Sequence, residues 1–136
     1  MAKLSGIGWT KFEIDDGGTT ARDLKNDIMS ADISTPRAVI EVTGLDKGAM
    51  ERILGLADAT VSGECAFNTG ANLAHSVFRT VASGTVSRTV SIEHASQTLA
   101  MEMLLTTYDL SRDNSGEIKG KFELVLSDGA VPTWGP

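Results

Sequence analysis

The stretch IKGKFELVL, residues 118–126, decides the fold class. Apolar residues alternate along it with charged ones: Ile118, Phe122, Leu124 and Leu126 share one face with Gly120, and Lys119, Lys121 and Glu123 share the other. Alternation over this length is typical of a β-strand with one buried and one solvated face. The sequence therefore predicts a half-buried strand here.

The neighbouring sequence extends this strand into a sheet. Residues 98–110, TLAMEMLLTTYDL, are apolar on both alternating faces, which favours a central strand over the alternative of a buried helix. The turn sequence RDNSGE at 112–117 leads straight into the 118–126 strand, so we expect an antiparallel hairpin. Residues 85–94 also alternate and predict another strand, although Arg88 interrupts their apolar face.

Three upstream stretches predict further strands: 9–15 (WTKFEID), 28–35 (IMSADIST) and 59–67 (ATVSGECAF). One segment instead has helical spacing, because Ala49, Met50, Ile53, Leu54 and Ala57 recur on one side of a helical projection. We therefore expect one amphipathic helix at about 46–57, and a short helical turn is possible at 74–81. The predicted architecture is a mainly antiparallel β-sandwich or barrel flanked by one α-helix, in a single domain spanning 1–136 with short irregular terminal arms.

Composition limits the function. Twelve Lys plus Arg against eighteen Asp plus Glu give a formal charge of -6, which disfavours a sequence-independent grip on nucleic-acid phosphates. No apolar run approaches the ~18 residues of a membrane span. Cys65 is the single cysteine and cannot form an internal disulfide, so we expect it in the core.

The sequence offers little catalytic chemistry. His75 and His94 stand apart, and neither lies in a nucleophile elbow or a zinc motif. The Asp-rich pairs at 15–16 and 113–114 precede glycines and lack the spacing of a calcium loop, so they predict turns. We therefore expect no enzymatic activity, no cofactor and no metal site.

Several segments resemble the major tail proteins of long, non-contractile bacteriophage tails. They are ARDLKND at 21–27, STPR at 34–37, TGLDKGAMERIL at 43–54, HSVFRTV at 75–81, RTVSIEH at 88–94 and DGAVPTW at 128–134. The resemblance implies a tail-tube subunit that forms hexameric rings, which stack into a hollow tube conducting DNA during ejection. It also implies a virion location after assembly in the host cytoplasm, with copies of itself, the tape measure protein and the tail terminator as partners.

The resemblance gives the surface residues candidate roles. Glu64, Glu93 and Glu102 are candidates for the lumen, where negative charge would let DNA pass without binding. The tail residues Val131, Pro132 and Trp134 are candidates for contacts between subunits. Pro132 cannot donate to a strand ladder, and the large Trp134 ring suits burial against a neighbouring subunit.

Two other classes of protein remain open on the sequence. A head-tail adaptor or head-decoration protein of a phage virion would have a similar composition and size. A small β-sandwich that binds a ligand is the more distant alternative. Such modules usually expose aromatic residues on a sheet face, whereas the few aromatic residues of this sequence are mostly at core-like positions.

Overall fold

The computed structural model describes residues 3–18 and 20–136. Its elements, in chain order, are β1 (Lys11–Asp15), β2 (Ala21–Asp23), β3 (Ile28–Ser34), β4 (Arg37–Glu41), β5 (Arg52–Ala57), β6 (Thr60–Ala66), α1 (Ala74–Phe78), β7 (Arg88–His94), β8 (Gln97–Arg112), β9 (Ile118–Leu126) and β10 (Trp134–Gly135). The mainly antiparallel β class is confirmed, and all six strands predicted from the sequence are present.

Most strands belong to one sheet with the order β2-β1-β7-β8-β9-β6-β3, and β10 pairs with β8. The long strand β8 divides this sheet into two halves. Its first part pairs with β7 up to Met103, and from Met103 onward its opposite edge pairs with β9. We call β2, β1, β7 and the first part of β8 the first half-sheet, and the second part of β8 with β9, β6 and β3 the second half-sheet.

The sheet curls so that the two halves enclose one core. Phe12 on β1 and Phe122 on β9 are separated in the sheet order by β7 and β8, yet their ring centroids are 6.3 Å apart. Strands in a flat sheet lie about 4.8 Å apart, so three such steps could not bring these rings into contact. The apolar faces of the two halves therefore pack on each other, and their polar faces point away from the core.

The short helix α1 closes the core at one end. Phe78 stacks on Phe122 with ring centroids 5.0 Å apart, and Ala74 and Val77 are also fully buried. Two buried charged groups hold the helix in position. The Asp27 carboxylate accepts hydrogen bonds from the Ala74 backbone N–H (3.1 Å) and the Asn68 side chain (2.9 Å), and the Arg88 guanidinium donates to the Val77 carbonyl.

The predicted turn between β8 and β9 is confirmed. Asp113 Oδ1 accepts hydrogen bonds from the Ser115 N–H (3.1 Å) and the Glu117 N–H (3.3 Å), and Gly116 has a φ of 92°, which glycine adopts without strain. The pKa of the Asp113 carboxyl is lowered, chiefly by its hydrogen bond from the Ser115 side chain. The Asp residue therefore acts as a turn former.

The helix predicted at about 46–57 is wrong. Residues 42–51 form a loop, and Arg52–Ala57 is strand β5, paired antiparallel with β4. Gly48 and Gly55 each cost up to about 1 kcal/mol in a helix. The apolar stripe also finds no core to pack on, since no residue between 35 and 57 is buried. Hydrogen bonds to the backbone of Arg37–Glu41 therefore favour a strand at Arg52–Ala57 over a helix.

The C-terminal arm is also more ordered than expected. Trp134 and Gly135 pair with Leu99 and Thr98 of β8, in line with the end of β9, so the arm is not wholly irregular. Pro132 lies before this pairing begins, where its missing N–H costs no ladder bond.

Candidate assembly surfaces

The hairpin formed by β4 and β5 makes its sheet pairing only within itself, among the residues that the structure describes. Val39 faces Leu54, Ile40 faces Ile53 and Glu41 faces Arg52 in the ladder. The hairpin joins the end of β3 to the start of β6, with a base closed by a hydrogen bond from the Asp58 N–H to the Pro36 carbonyl (3.0 Å). It is therefore an extension of the second half-sheet that the subunit itself leaves uncovered.

Aliphatic side chains are exposed on both faces of this hairpin. Ile40 and Ile53 share one face and are 47% and 52% exposed, while Val39, Leu54 and Leu56 share the other and are exposed to between 58% and 86%. Isolated two-stranded hairpins are at best marginally stable in water. A contiguous apolar surface on a soluble protein commonly marks an interaction site.

Polar contacts define the shape of the hairpin tip. The Thr43 hydroxyl accepts a hydrogen bond from the Glu51 N–H (2.9 Å), and the Gly44 N–H donates to the Glu51 carboxylate (3.3 Å). Near the base, Arg37 Nε donates to the Gly55 carbonyl (2.9 Å). Beyond the contacts of Thr43 and Gly44 with Glu51, the loop presents Leu45, which is fully exposed, and next to it Asp46, whose carboxylate lies 3.6 Å from Lys47 Nζ.

The second half-sheet has a free edge on each side. Strand β3 pairs with β6 along one edge, and no described strand pairs with its other edge. On the opposite side, residues 104–112 of β8 pair with β9 only. By contrast, the outer edge of the first half-sheet is β2, which has three residues. Long free edges attract further strands, whereas short ones are a common way to prevent pairing.

The three glutamates predicted to line a lumen do not share one surface. Glu64 lies on the polar face of the second half-sheet, opposite Lys121 and 3.8 Å from Lys119 Nζ. Glu93 and Glu102 lie on the polar face of the first half-sheet. Because these faces point away from the common core, only one group could face a given channel.

The surroundings of the glutamates differ accordingly. Glu93 accepts a hydrogen bond from the Thr98 hydroxyl (3.0 Å), and Glu102 accepts from the hydroxyls of Ser87 and Thr89. Glu64 belongs to a polar strip that crosses all four strands of the second half-sheet. Its members are Ser30, Asp32, Ser62, Glu64, Thr107, Asp109, Lys121 and Glu123, and they line a shallow depression of about 370 Å³.

The tail residues predicted to contact another subunit are accessible in part. Trp134 is 46% exposed although its backbone pairs with β8, Val131 is exposed, and Pro132 is partly buried. The side chain of Trp134 therefore remains available to a neighbour.

Both histidines have structural contacts. His75 Nδ1 lies 3.2 Å from the Tyr108 hydroxyl, and His94 stacks on Trp9 with ring centroids 5.0 Å apart. Within the described residues, no cluster of His, Cys, Asp and Glu could hold a metal ion. No helix in the described ranges is long and apolar enough to cross a bilayer.

The β4–β5 hairpin and its exposed apolar surface were not identified from the sequence. Its signal was the run AVIEV at 38–42, which is rich in β-branched residues and lies shortly before RILGL at 52–56. Two buried residues that bind the backbone of α1 were also assigned no role from the sequence: Arg88, at the start of β7, and Asp27, in the turn before β3.

The fold is similar to that of chains in solved structures of a tail and a virion. No protein-family model and no curated protein matches the chain. A chain from the tail of an empty gene transfer agent (GTA) particle, refined helically with C6 symmetry, is similar with a TM-score of 0.75 and 16% identity, covering 98% of this chain and 100% of that one. A chain from the virion of a native GTA particle is similar with a TM-score of 0.71 at the same identity and coverage. At this identity the likeness establishes the fold, and at the level of the fold it confirms the resemblance to tail proteins. The chain has the fold of a protein from a GTA tail.

Proposed function

We propose that this protein is a structural tail-tube subunit of a phage-like virion, which forms hexameric rings stacked into a hollow tube that conducts DNA. The observation that carries the proposal is the β4–β5 hairpin, with exposed aliphatic side chains on both faces and no partner element in the described subunit. The fold shared with a protein from a C6-symmetric tail supports it.

The hairpin needs cover that a single subunit does not supply. Full burial of a Val, Leu or Ile side chain contributes about 1.5–3 kcal/mol, and five such side chains lie in the hairpin strands alone. Because both faces are apolar, the hairpin suits insertion between other subunits better than docking on one flat surface. Repeated copies of the same chain would supply such a site in every ring.

The free edges of the second half-sheet suit ring formation. Its four strands alternate in direction, so β3 and β8 run in opposite directions. In a ring whose subunits share one orientation, β3 of one copy would meet β8 of the next antiparallel, and the half-sheets would close into a continuous barrel. Such closure removes free edges.

This arrangement assigns the lumen to the polar face of the second half-sheet. That face carries four carboxylates, Asp32, Glu64, Asp109 and Glu123, against the two amines of Lys119 and Lys121. A net negative wall would repel phosphates and let DNA slide through. Glu64 remains a lumen residue in this proposal, whereas Glu93 and Glu102 would lie outside the channel. The role is structural, without catalysis, and the tape measure and terminator proteins are proposed partners at the tube interior and end.

Electron microscopy and sedimentation of concentrated protein test the proposal. We expect uniform hollow tubes from the natural chain. Leu54→Asp should abolish them because it places a charge on the hairpin, whereas Val86→Asp should not, since Val86 is similarly exposed (58% against 61%) but lies outside the hairpin. Closed single rings without tubes would instead indicate an adaptor, and protein that stays monomeric in every condition would argue against a tail-tube role.

A further inference from the structure

An open groove of about 480 Å³ lies beside the first residues of β3. Its apolar lining includes Trp9, Phe12, Ile28 and Met29, and Lys25 is the one charged residue that lines it within the described chain. The groove is thus a largely apolar slot with the Lys25 ammonium, which is paired with Asp23, in its wall.

The N-terminal wall of the groove is held in place by the subunit. The Trp9 indole stacks on the His94 ring, and His94 Nε2 lies 2.6 Å from the Ser5 carbonyl. On the other wall, Lys25 Nζ donates to the Thr10 carbonyl (3.3 Å) and pairs with Asp23 (2.9 Å). The groove is therefore preformed, and binding there would require little ordering of the subunit.

The groove and the hairpin lie at opposite ends of the same strand. The groove is built on Ile28–Ala31 at the start of β3, whereas the chain enters the hairpin after Ser34 at its end. Seven residues of strand separate these ends by roughly 20 Å. Subunits stacked head to tail along β3 would bring the hairpin of one copy toward the groove of the next.

We propose that this groove receives the hairpin tip, residues 43–50, of a second copy in the adjacent ring. The chemistry of the two surfaces is complementary. The tip presents the fully exposed Leu45 to a largely apolar slot. The exposed Asp46 carboxylate, 3.6 Å from Lys47 Nζ, lies next to Leu45 in the chain and would extend the ion pair that Lys25 makes with Asp23. The proposal rests on the proposed tube function and specifies the contact that joins one ring to the next.

A tip and a groove at opposite ends form a heterologous contact. Such contacts leave one unfilled tip and one unfilled groove after every addition, so they propagate without closing. This would explain how identical rings stack into a tube whose length is set by other components.

Cross-linking of assembled protein tests the contact directly. The double variant Leu45→Cys with Asn26→Cys carries one thiol at the tip and one at the exposed rim of the groove, away from the edge of β3. The matched control is Val86→Cys with Asn26→Cys, which keeps the groove thiol and moves the other to an exposed residue outside the hairpin. Cys65 is fully buried and can stay in both.

With a bismaleimide, we expect a ladder of covalent multimers from tubes of the first variant, and monomers from tubes of the control. Tubes of the first variant that give no ladder, or a ladder equally strong in the control, would overturn the groove contact while leaving the tube function in place. Failure of the natural chain to form tubes at all would overturn both proposals.

Discussion

The Tyr108 ring lies directly over Gly120 at the inner side of the β8–β9 ladder. A Cβ added at Gly120 would lie 2.6 Å from Tyr108 Cε1, which is closer than packing allows, and 3.1 Å from Cys65 Sγ, which is tighter than most contacts. Gly120 is therefore required by the aromatic ring next to it. Its place on the apolar face of 118–126 follows from packing and not from a turn.

We predict that Gly120→Ala destabilises the subunit by about 1–3 kcal/mol, the usual cost of adding a methyl group to a filled core. Urea unfolding of the monomer measures this change. Gly48→Ala is the matched control, because a Cβ at Gly48 meets nothing within 4 Å. Equal unfolding midpoints for the two variants would contradict the close contact.

Local alternation was sufficient to predict the strands with one apolar face. Residues 118–126 correspond to β9 without a shift of either end, and 28–35 corresponds to β3 within one residue. The helix at 46–57 failed because its spacing fits a helix as well as a hairpin strand. Whether the segment forms a helix or a strand depends on the partner strand Arg37–Glu41 and on the lack of a nearby core. Neither can be read from the segment itself.

The grouping of the lumen candidates depended on the curl of the sheet. Glu64 and Glu102 both lie on polar strand faces in the structure, although the sequence of 98–110 is apolar on both alternating faces and did not separate them. Alternation also does not say which way a face points after the sheet folds over. The contact between Phe12 and Phe122, which are distant in sequence, determines that direction. Sequence could therefore identify polar faces but could not assign them to one channel.

Stability should fall at alkaline pH because one buried group and one partly buried group hold their protons. Burial raises the pKa of the Cys65 thiol from 9.0 to about 11, with the Asp27 charge as a smaller cause, and burial likewise raises the pKa of the Tyr108 hydroxyl from 10.0 to about 12. The unfolded chain releases these protons first, so the free energy of unfolding should decrease as pH rises from about 9 to 11 for Cys65 and from about 10 to 12 for Tyr108. Their contribution is fully present below pH 9.

Unfolding experiments between pH 8 and pH 11 measure this effect. Cys65→Ser should show a shallower loss of stability than the natural chain over this range, since serine does not titrate there. Identical slopes in the two proteins would mean that the Cys65 thiol does not contribute.

The assignment of the lumen predicts different effects for equivalent charge reversals. Glu64→Lys in assembled particles should slow DNA ejection, because a lysine on the channel wall would attract phosphates, and added salt should reduce the delay. Glu93→Lys and Glu102→Lys should leave ejection unchanged. DNA ejection rates are measured in particles of each variant, and melting temperatures of the monomers show whether each variant is still folded. A delay confined to Glu93→Lys and Glu102→Lys would place the other half-sheet around the channel.

The last prediction concerns Trp134, whose backbone belongs to its own subunit while nearly half of its side chain is exposed. Trp134→Ala keeps the backbone pairing with Leu99, so the melting temperature of the monomer should change little. If a neighbouring subunit covers the indole, its loss removes about 2–3 kcal/mol from each contact, and the yield of tubes in sedimentation should drop sharply because the contact recurs at every subunit. Trp134→Phe, which keeps an aromatic ring, should recover part of that yield. A large fall in the melting temperature with a normal yield of tubes would instead assign the indole to the packing of its own subunit.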